Sequence, residues 1–226
     1  KRHRTAAGIP VVVEVSVQWL LKNALREEGL LRVPGSASTI GRLKEEVDSG
    51  MIEQAMKGEP GPKPHDVAGL LKCYLFELPE PLLTWSLYER MLSVSKNSNL
   101  LLRSKILSMA MLVQQGIPRQ NFALLQLLVD FLAAVELHSD HNKMTMRNIA
   151  IVMAPIFLRP RVETLDYPLD IPFLHGIVQI MLEFRDTFFG DYTSLLNMSN
   201  MSTSITMSPD DLSKLTSNRS PKEEGL

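Results

Sequence analysis

The sequence predicts an all-α protein. Apolar residues recur at intervals of three and four positions from about residue 11 to residue 188, which is the period of amphipathic helices. Glycine or proline stands at the ends of most of these periodic segments, where both residues commonly interrupt helices. No segment shows the apolar–polar alternation of a half-buried strand. These observations favour helices packed around one core.

Seven periodic segments define the main predicted helices. Ser38 is expected to cap the second of them and Thr145 the sixth, because a hydroxyl can accept from the free N–H groups of a first turn. Their apolar stripes, in chain order, are Val13, Val17, Leu20, Leu21 and Ala24; Ile40, Leu43 and Val47; Val67, Leu70, Leu71, Tyr74, Leu75 and Leu78; Leu87, Met91 and Leu92; Leu124, Leu125, Leu128, Phe131 and Leu132; Ile149, Val152 and Met153; and Leu174, Ile177, Ile180, Met181 and Phe184.

Three segments carry a more specific expectation. An apolar-rich stretch at residues 101–115 adds a further helix before Gly116 and Pro118. Residues 51–64 are polar and rich in glycine and proline, so we expect a loop with too little apolar content to dock firmly. Residues 149–158 are almost wholly apolar, which indicates a buried helix. Pro155 inside it predicts a kink or an early end.

The composition bounds the domain organisation. A chain of 226 residues with 45% hydrophobic residues predicts one substantial domain, which we place at residues 8–193. Residues 1–7 are expected to be a flexible basic segment. Residues 194–226 are rich in Ser, Thr and Asn and lack a helical period, so we expect a disordered tail.

Charge and cysteine content exclude several classes of protein. The net charge of −1 argues against a nucleic-acid partner. Cys73 is the only cysteine, so no internal disulfide can form and a reducing compartment is favoured. No apolar run reaches the roughly 18–20 residues of a membrane span. The expectation is therefore a cytoplasmic protein without a transmembrane segment.

Three sequence blocks stand out, in a fixed order. Residues 28–36 read Glu-Gly-Leu-Leu-Arg-Val-Pro-Gly-Ser and hold Arg32 between glycine and proline. Residues 70–83 read Leu-Leu-Lys-Cys-Tyr-Leu-Phe-Glu-Leu-Pro-Glu-Pro-Leu-Leu and contain Lys72 and Phe76. Residues 142–155 read Asn-Lys-Met-Thr-Met-Arg-Asn-Ile-Ala-Ile-Val-Met-Ala-Pro and contain Asn148 and Pro155.

Together these blocks resemble the RhoGAP family of GTPase-activating domains, over roughly residues 8–190. The resemblance implies a bundle of about nine helices that stimulates GTP hydrolysis by a Rho-family GTPase. It assigns Arg32 as an arginine finger supplied in trans, and Lys72, Phe76, Asn148 and Pro155 to the partner-binding face. Such a domain is a GTPase activator and not an enzyme on its own.

The resemblance also bears on partners and cofactors. GTP and Mg²⁺ belong to the partner, which would be Rho, Rac or a relative in its GTP-bound state, so no cofactor of the chain's own is expected. Regions outside the chain would recruit it to membranes for signal transduction to the cytoskeleton. A monomer is expected. The preferred GTPase does not follow from the sequence.

Several alternatives stay open at this point. Phe76 stands where the family usually has an arginine, so loop support or GTPase contact should weaken; the ring could instead offer an apolar contact. Asn148 could be a helix-start cap or a satisfied internal group rather than a contact residue. Lys72 could simply extend to solvent at a helix edge. The whole chain could be a GTPase-binding scaffold without catalysis.

Other chemistry is disfavoured. His138, Asp140 and His141 lie close together in sequence, but on a polar linker they are more typical of a solvated turn than of a metal site. No glycine-rich phosphate loop followed by Lys-Ser/Thr occurs, and no nucleophile-elbow string places a Ser–His–Asp triad.

The tail yields a direct prediction. Deletion of the residues after Asp191 should leave the melting temperature and GTPase stimulation nearly unchanged, because the segment has no periodic apolar stripe to dock. Thermal unfolding and single-turnover GTP hydrolysis of the truncated and full chains measure this. A clear drop in either quantity would show that the tail is packed or functional.

Overall fold

The computed structural model describes residues 8–58 and 61–190, all of which belong to one compact unit. The described residues contain eleven helices and no strand, so the all-α prediction is confirmed. The helices are α1 (Val11–Asn23), α2 (Ala37–Asp48), α3 (Ile52–Ala55), α4 (Pro64–Phe76), α5 (Thr84–Lys96), α6 (Leu102–Gly116), α7 (Arg119–Glu136), α8 (Ser139–Asn142), α9 (Met146–Phe157), α10 (Tyr167–Glu183) and α11 (Arg185–Phe189).

The described residues contain more than the expected nine helices. Eight are long, and the other three, α3, α8 and α11, have only four or five residues. The basic segment at residues 1–7, the tail at residues 194–226 and the domain boundary at 193 lie outside the described residues. Their predictions are not tested by the structure.

Helices α4 and α9 pack against each other and against helices from both ends of the chain. Helix α4 contacts α1, α2 and α9, while α9 also packs against α7 and α10. The long helix α7 contributes the largest block of buried side chains, among them Leu128, Phe131 and Leu132. The apolar stripes of α4, α7 and α9 therefore meet in one core, as their 3.6-residue periodicity predicts.

The segment after α2 departs from its prediction as an undocked loop. It contains α3, and Ile52 and Met56 are buried with 3% and 7% of their surfaces exposed. Helix α3 packs against α1 and α2. Two apolar side chains one helical turn apart are enough to dock the segment, because neighbouring helices supply the rest of the apolar surface.

The helix ends correct one prediction and confirm two. Thr145 caps α9 as predicted, since its Oγ1 accepts from the Asn148 N–H at 3.4 Å. The cap of α2 is Ser36 rather than Ser38, with the Thr39 N–H as its donor. Pro155 is followed by an early helix end, because α9 stops at Phe157 and Leu158 is extended.

Within the described residues, no helix is both long and apolar enough to cross a membrane.

Candidate functional site

Arg32, the predicted arginine finger, lies on the thirteen-residue connection between α1 and α2. This connection, residues 24–36, is called here the arginine loop. The backbone of this loop is unusual. Gly29 and Leu31 both adopt positive φ angles, of 69° and 71°. A left-handed conformation is ordinary for glycine but costs an L-residue such as leucine about 1–3 kcal/mol. Interactions elsewhere must therefore hold Leu31 in place.

Four long-range hydrogen bonds hold the loop backbone. Nδ2 of Asn142 donates to the Leu25 carbonyl at 2.8 Å. The Gly29 N–H donates to the Asn142 carbonyl at 2.7 Å. The ammonium of Lys72 donates to the Leu31 carbonyl. The Ser36 N–H donates to Oδ1 of Asp66 at 2.7 Å. Asn142 therefore holds the first half of the loop, at Leu25 and Gly29, while two side chains of α4 hold Leu31 and Ser36.

Two glycines permit the close approaches that this path requires. A Cβ on Gly35 would lie 2.6 Å from the His65 carbonyl oxygen at the start of α4. A Cβ on Gly29 would lie 2.5 Å from Cγ2 of Val33. Neither distance is compatible with an ordinary side chain, so both positions need glycine.

Arg32 itself is exposed, although its neighbours Leu30 and Leu31 are completely buried. Its N–H donates to the Gly29 carbonyl at 2.8 Å. Its guanidinium makes no hydrogen bond or ion pair with another residue in the described part of the chain. The loop therefore fixes the backbone of Arg32 and leaves the charged group available to a partner.

Lys72 lies on α4 and is half-buried, and this burial lowers the pKa of its ammonium. The contact with Leu31 places it under the arginine loop, so it does more than extend to solvent at a helix edge. A charge-assisted bond to a backbone carbonyl offsets part of the cost of the left-handed conformation at Leu31.

Asn148 lies in the first turn of α9, and its amide is only partly engaged. Its Nδ2 donates to the Lys143 carbonyl at 2.9 Å, so the internal bond that the sequence left open is present. Its Oδ1 accepts no hydrogen bond from the described residues. The side chain is thus oriented by the fold and retains one acceptor for a partner.

Phe76 and Pro155 lie at the other end of the α4–α9 pair. The Phe76 side chain is 55% exposed, one turn after Lys72, and Pro155 is half-buried. The guanidinium of Arg159, a residue that the sequence analysis did not single out, stacks over the Phe76 ring with Cζ 4.9 Å from the ring centroid. The only sequence signal was an arginine directly after a buried helix.

The described residues do not show the geometry of a metal site. Among residues 8–58 and 61–190, no three His, Cys, Asp or Glu side chains come together as metal ligands. His138 Nδ1 is hydrogen-bonded to the Ala134 carbonyl at 2.9 Å, and Asp140 and His141 are exposed residues of the short helix α8.

Comparison with known proteins bears directly on this geometry. The family model described as the RhoGAP domain matches residues 10–162, which include the arginine loop, α4 and α9. The chain belongs to the RhoGAP family.

Its relatives carry the same description. Rho GTPase-activating protein 17 of Mus musculus is 40% identical over 155 residues, which cover 69% of this chain and 18% of that protein. Rho GTPase-activating protein 22 of Mus musculus is 37% identical over 156 residues, covering 68% and 21%. The chain thus spans about a fifth of the length of these relatives.

Solved structures support the RhoGAP fold. Human Rho GTPase activating protein 15 superposes with a TM-score of 0.72 at 26% identity, covering 80% of this chain and 84% of that chain. The BH domain from Graf, the GTPase regulator associated with focal adhesion kinase, superposes with a TM-score of 0.71 at 25% identity, covering 80% of this chain and 93% of that chain.

In this RhoGAP domain, Asn142 is a further residue on which the site depends. It is completely buried. Its Nδ2 donates to the carbonyls of Leu25 and Val135, both at 2.8 Å, and its Oδ1 accepts from the Met144 N–H at 2.7 Å. With the Gly29 bond to its backbone carbonyl, one residue joins the arginine loop to α7 and to the start of α9.

The sequence analysis missed Asn142, although it considered the histidines beside it. Asparagine is common in exposed polar turns, and Asn142 is not part of an apolar helical stripe, so the sequence gives no sign that it is buried. Its contacts with Leu25 and Gly29 span more than 110 residues of chain, and only the folded structure brings them together.

Replacement of Asn142 by alanine should destabilise the RhoGAP domain and loosen the arginine loop. Each buried group left without a partner costs roughly 1–3 kcal/mol in the free energy of unfolding. Denaturant unfolding measures the stability, and hydrogen exchange at the Gly29 N–H measures the order of the loop. Asn142→Asp keeps the acceptor for Met144 but sets a buried carboxylate oxygen against the Leu25 and Val135 carbonyls in place of the Nδ2 donor, so it should be at least as destabilising as the alanine variant.

Asn23→Ala is a matched control, because Asn23 is exposed and makes one local bond to the Trp19 carbonyl. It should change stability by less than about 0.5 kcal/mol. Unchanged stability and unchanged Gly29 protection in Asn142→Ala would show that the amide does not hold the loop.

Proposed function

We propose that this domain stimulates GTP hydrolysis by a Rho-family GTPase and that Arg32 enters the partner's nucleotide site. The observation that carries the proposal is an exposed guanidinium without an internal partner, on a loop whose backbone is held by four long-range bonds. A catalytic group has to be pre-positioned so that little ordering cost is left for the transition state.

The chemistry required of Arg32 follows from the reaction. Phosphoryl transfer to water spreads negative charge over the transferring and leaving oxygens. Arginine remains protonated and presents directed N–H donors, so it stabilises that charge without a proton transfer. In this proposal GTP, Mg²⁺ and the water-positioning glutamine are held by the partner, and the Arg32 carbonyl steadies that glutamine.

The charge distribution on the same surface supports a GTPase partner with acidic character. The ion pairs among the described residues are Lys44–Glu77, His65–Glu27, Lys96–Asp170 and Arg185–Asp186. None of them includes Arg32, Lys72 or Arg159. These three cations therefore have no carboxylate partner among the described residues, and acidic groups of a partner would complement them.

The alternative is a non-catalytic module that binds a Rho-type GTPase. Phe76 is exposed and apolar, and it stands where the resemblance leads us to expect arginine. An apolar ring can contact a partner but cannot supply charge, so this position favours binding over catalysis. The two functions differ in one measurable quantity, the rate of hydrolysis within a saturated complex.

Arg32→Ala should lower stimulated hydrolysis by about 10³–10⁵-fold, the contribution typical of an arginine finger. The measurement is single-turnover GTP hydrolysis with Rho, Rac and related GTPases at saturating domain. Arg26→Ala is the matched control, since Arg26 is an exposed arginine in the same loop, and it should keep full stimulation.

Three results would decide between the functions. Loss of stimulation with retained binding in Arg32→Ala supports the finger. Undiminished stimulation by the alanine variant refutes it. Binding without stimulation by the unmodified domain, across all GTPases tested, would establish the non-catalytic module instead.

Asn148 and Lys72 should differ in which step they affect. Asn148→Ala removes an acceptor at the surface, so affinity for a GTPase in its transition-state-analogue form should fall by roughly 1–3 kcal/mol. Lys72→Ala also releases the Leu31 carbonyl, so both affinity and turnover should fall. The exposed Lys57 provides the control variant, Lys57→Ala. If titration shows unchanged affinity for both Asn148→Ala and Lys72→Ala, the docking face has to be placed elsewhere.

A further inference from the structure

The chain after α9 reaches back across the end of α4. Nη2 of Arg159 donates to the carbonyls of Phe76 and Leu78, each at 3.1 Å. The last carbonyls of a helix have no partner within the helix, so the bond to Phe76 satisfies an acceptor at the end of α4, and the bond to Leu78 holds the connection that follows it. Arg159 therefore fixes the backbone at the point where Phe76 is presented.

The same guanidinium also holds the ring. Its Cζ is 4.9 Å from the Phe76 ring centroid, which is the geometry of a cation–π contact. Backbone and side chain of Phe76 are thus held by one planar group, a combination that arginine provides and lysine does not. The ring is still 55% exposed, more than Phe173, the other exposed phenylalanine of the described part of the chain.

The charge of Arg159 is not neutralised locally. Glu77, the residue next to Phe76, pairs with Lys44 of α2 at 2.6 Å instead. No described carboxylate pairs with Arg159, and its Nη1 is buried without a hydrogen-bond partner in the described residues. Burial lowers the pKa of the guanidinium, so keeping a cation here has a cost in folding. The result is an exposed aromatic ring backed by an unpaired cation.

This pair lies on the surface that carries the other site residues. Phe76 is one helical turn from Lys72, which supports the arginine loop through Leu31. Helices α4 and α9 pack together, and Arg159 follows the end of α9. A partner that receives Arg32 beside Lys72 would extend along α4 onto the Phe76 ring.

We propose that Arg159 is a positioning residue that holds Phe76 as a rigid apolar anchor, and that the pair recognises a GTPase loop bearing an aliphatic side chain next to a carboxylate. The inference rests on the proposed function and extends it to partner selection. The aliphatic group would pack on the open face of the ring, and the carboxylate would complement the cation behind it. Buried aromatic contacts of this kind commonly dominate binding energy.

The test is a double-mutant cycle on binding. The variants are Phe76→Leu, Arg159→Met and the double variant, titrated against a GTPase in its transition-state-analogue form. Each single substitution should raise Kd by about 10-fold, and the double variant should be little weaker than either single one, because both remove the same contact.

Two further variants sharpen the test. Phe76→Arg should also raise Kd, because it places a second guanidinium against Arg159. Phe173→Ala is the matched control, as that exposed ring also lies near a cation, with Lys96 Nζ 5.6 Å from its centroid, but on α10. It should leave Kd unchanged.

The outcomes separate the inference from the proposed function. A lower melting temperature with unchanged Kd in Arg159→Met would show that Arg159 only caps α4, and would overturn the inference. Fully additive losses in the double variant would show that the two residues do not act as a unit. Titrations run well below the melting temperature of each variant keep stability and affinity apart. If the unmodified domain neither binds any GTPase nor stimulates hydrolysis by it, the proposed function fails, and the inference fails with it.

Discussion

The geometry of the site depends on holding one leucine in a left-handed conformation. Leu31 carries a positive φ that costs about 1–3 kcal/mol, and Arg32 is the next residue. The Lys72 bond to the Leu31 carbonyl and the complete burial of the Leu31 side chain offset this cost. The left-handed turn orients the backbone so that the Leu30 and Leu31 side chains enter the core while Arg32 faces outward.

The remaining ties to the arginine loop come from polar groups placed inside the core. Asn142 and Asp66 are both buried, and each bridges elements that are far apart in sequence. Buried polar groups are costly unless every donor and acceptor is used, and the Asn142 amide meets that condition with three bonds. A network of this kind specifies one arrangement of the loop, whereas an apolar core would tolerate several.

The surface around the loop has the opposite character, because its polar groups are left incomplete. Arg32, Lys72 and Arg159 make no ion pair with a described residue, and Asn148 keeps a free acceptor. Interactions absent from the free domain are those that a partner can supply. Asn142, Asp66 and Lys72, which bond to the loop backbone, build the site, whereas the Arg32 guanidinium and the Asn148 side-chain carbonyl remain available to a partner.

Sequence reasoning reached the fold class and the helices with strong apolar stripes, because helical periodicity is a local property of the chain. It also predicts Arg32, Lys72, Phe76, Asn148 and Pro155 as site residues, through ordered motifs that resemble those of the RhoGAP family. It erred where tertiary packing outweighed local composition, as in the docking of Ile52 and Met56. A segment with little apolar content can still be buried when its neighbours expose complementary surface.

What the sequence by itself determined was the identity of the helices and the residues able to carry charge to a partner. What only the tertiary structure decided was how those residues are held: the Asn142 bond to Gly29, the Lys72 bond to Leu31 and the Arg159 contacts with Phe76. Periodicity reports which face of one helix is apolar. It carries no information about which donor meets which carbonyl 41, 83 or 113 residues away, because those pairings are set by the packing of whole helices.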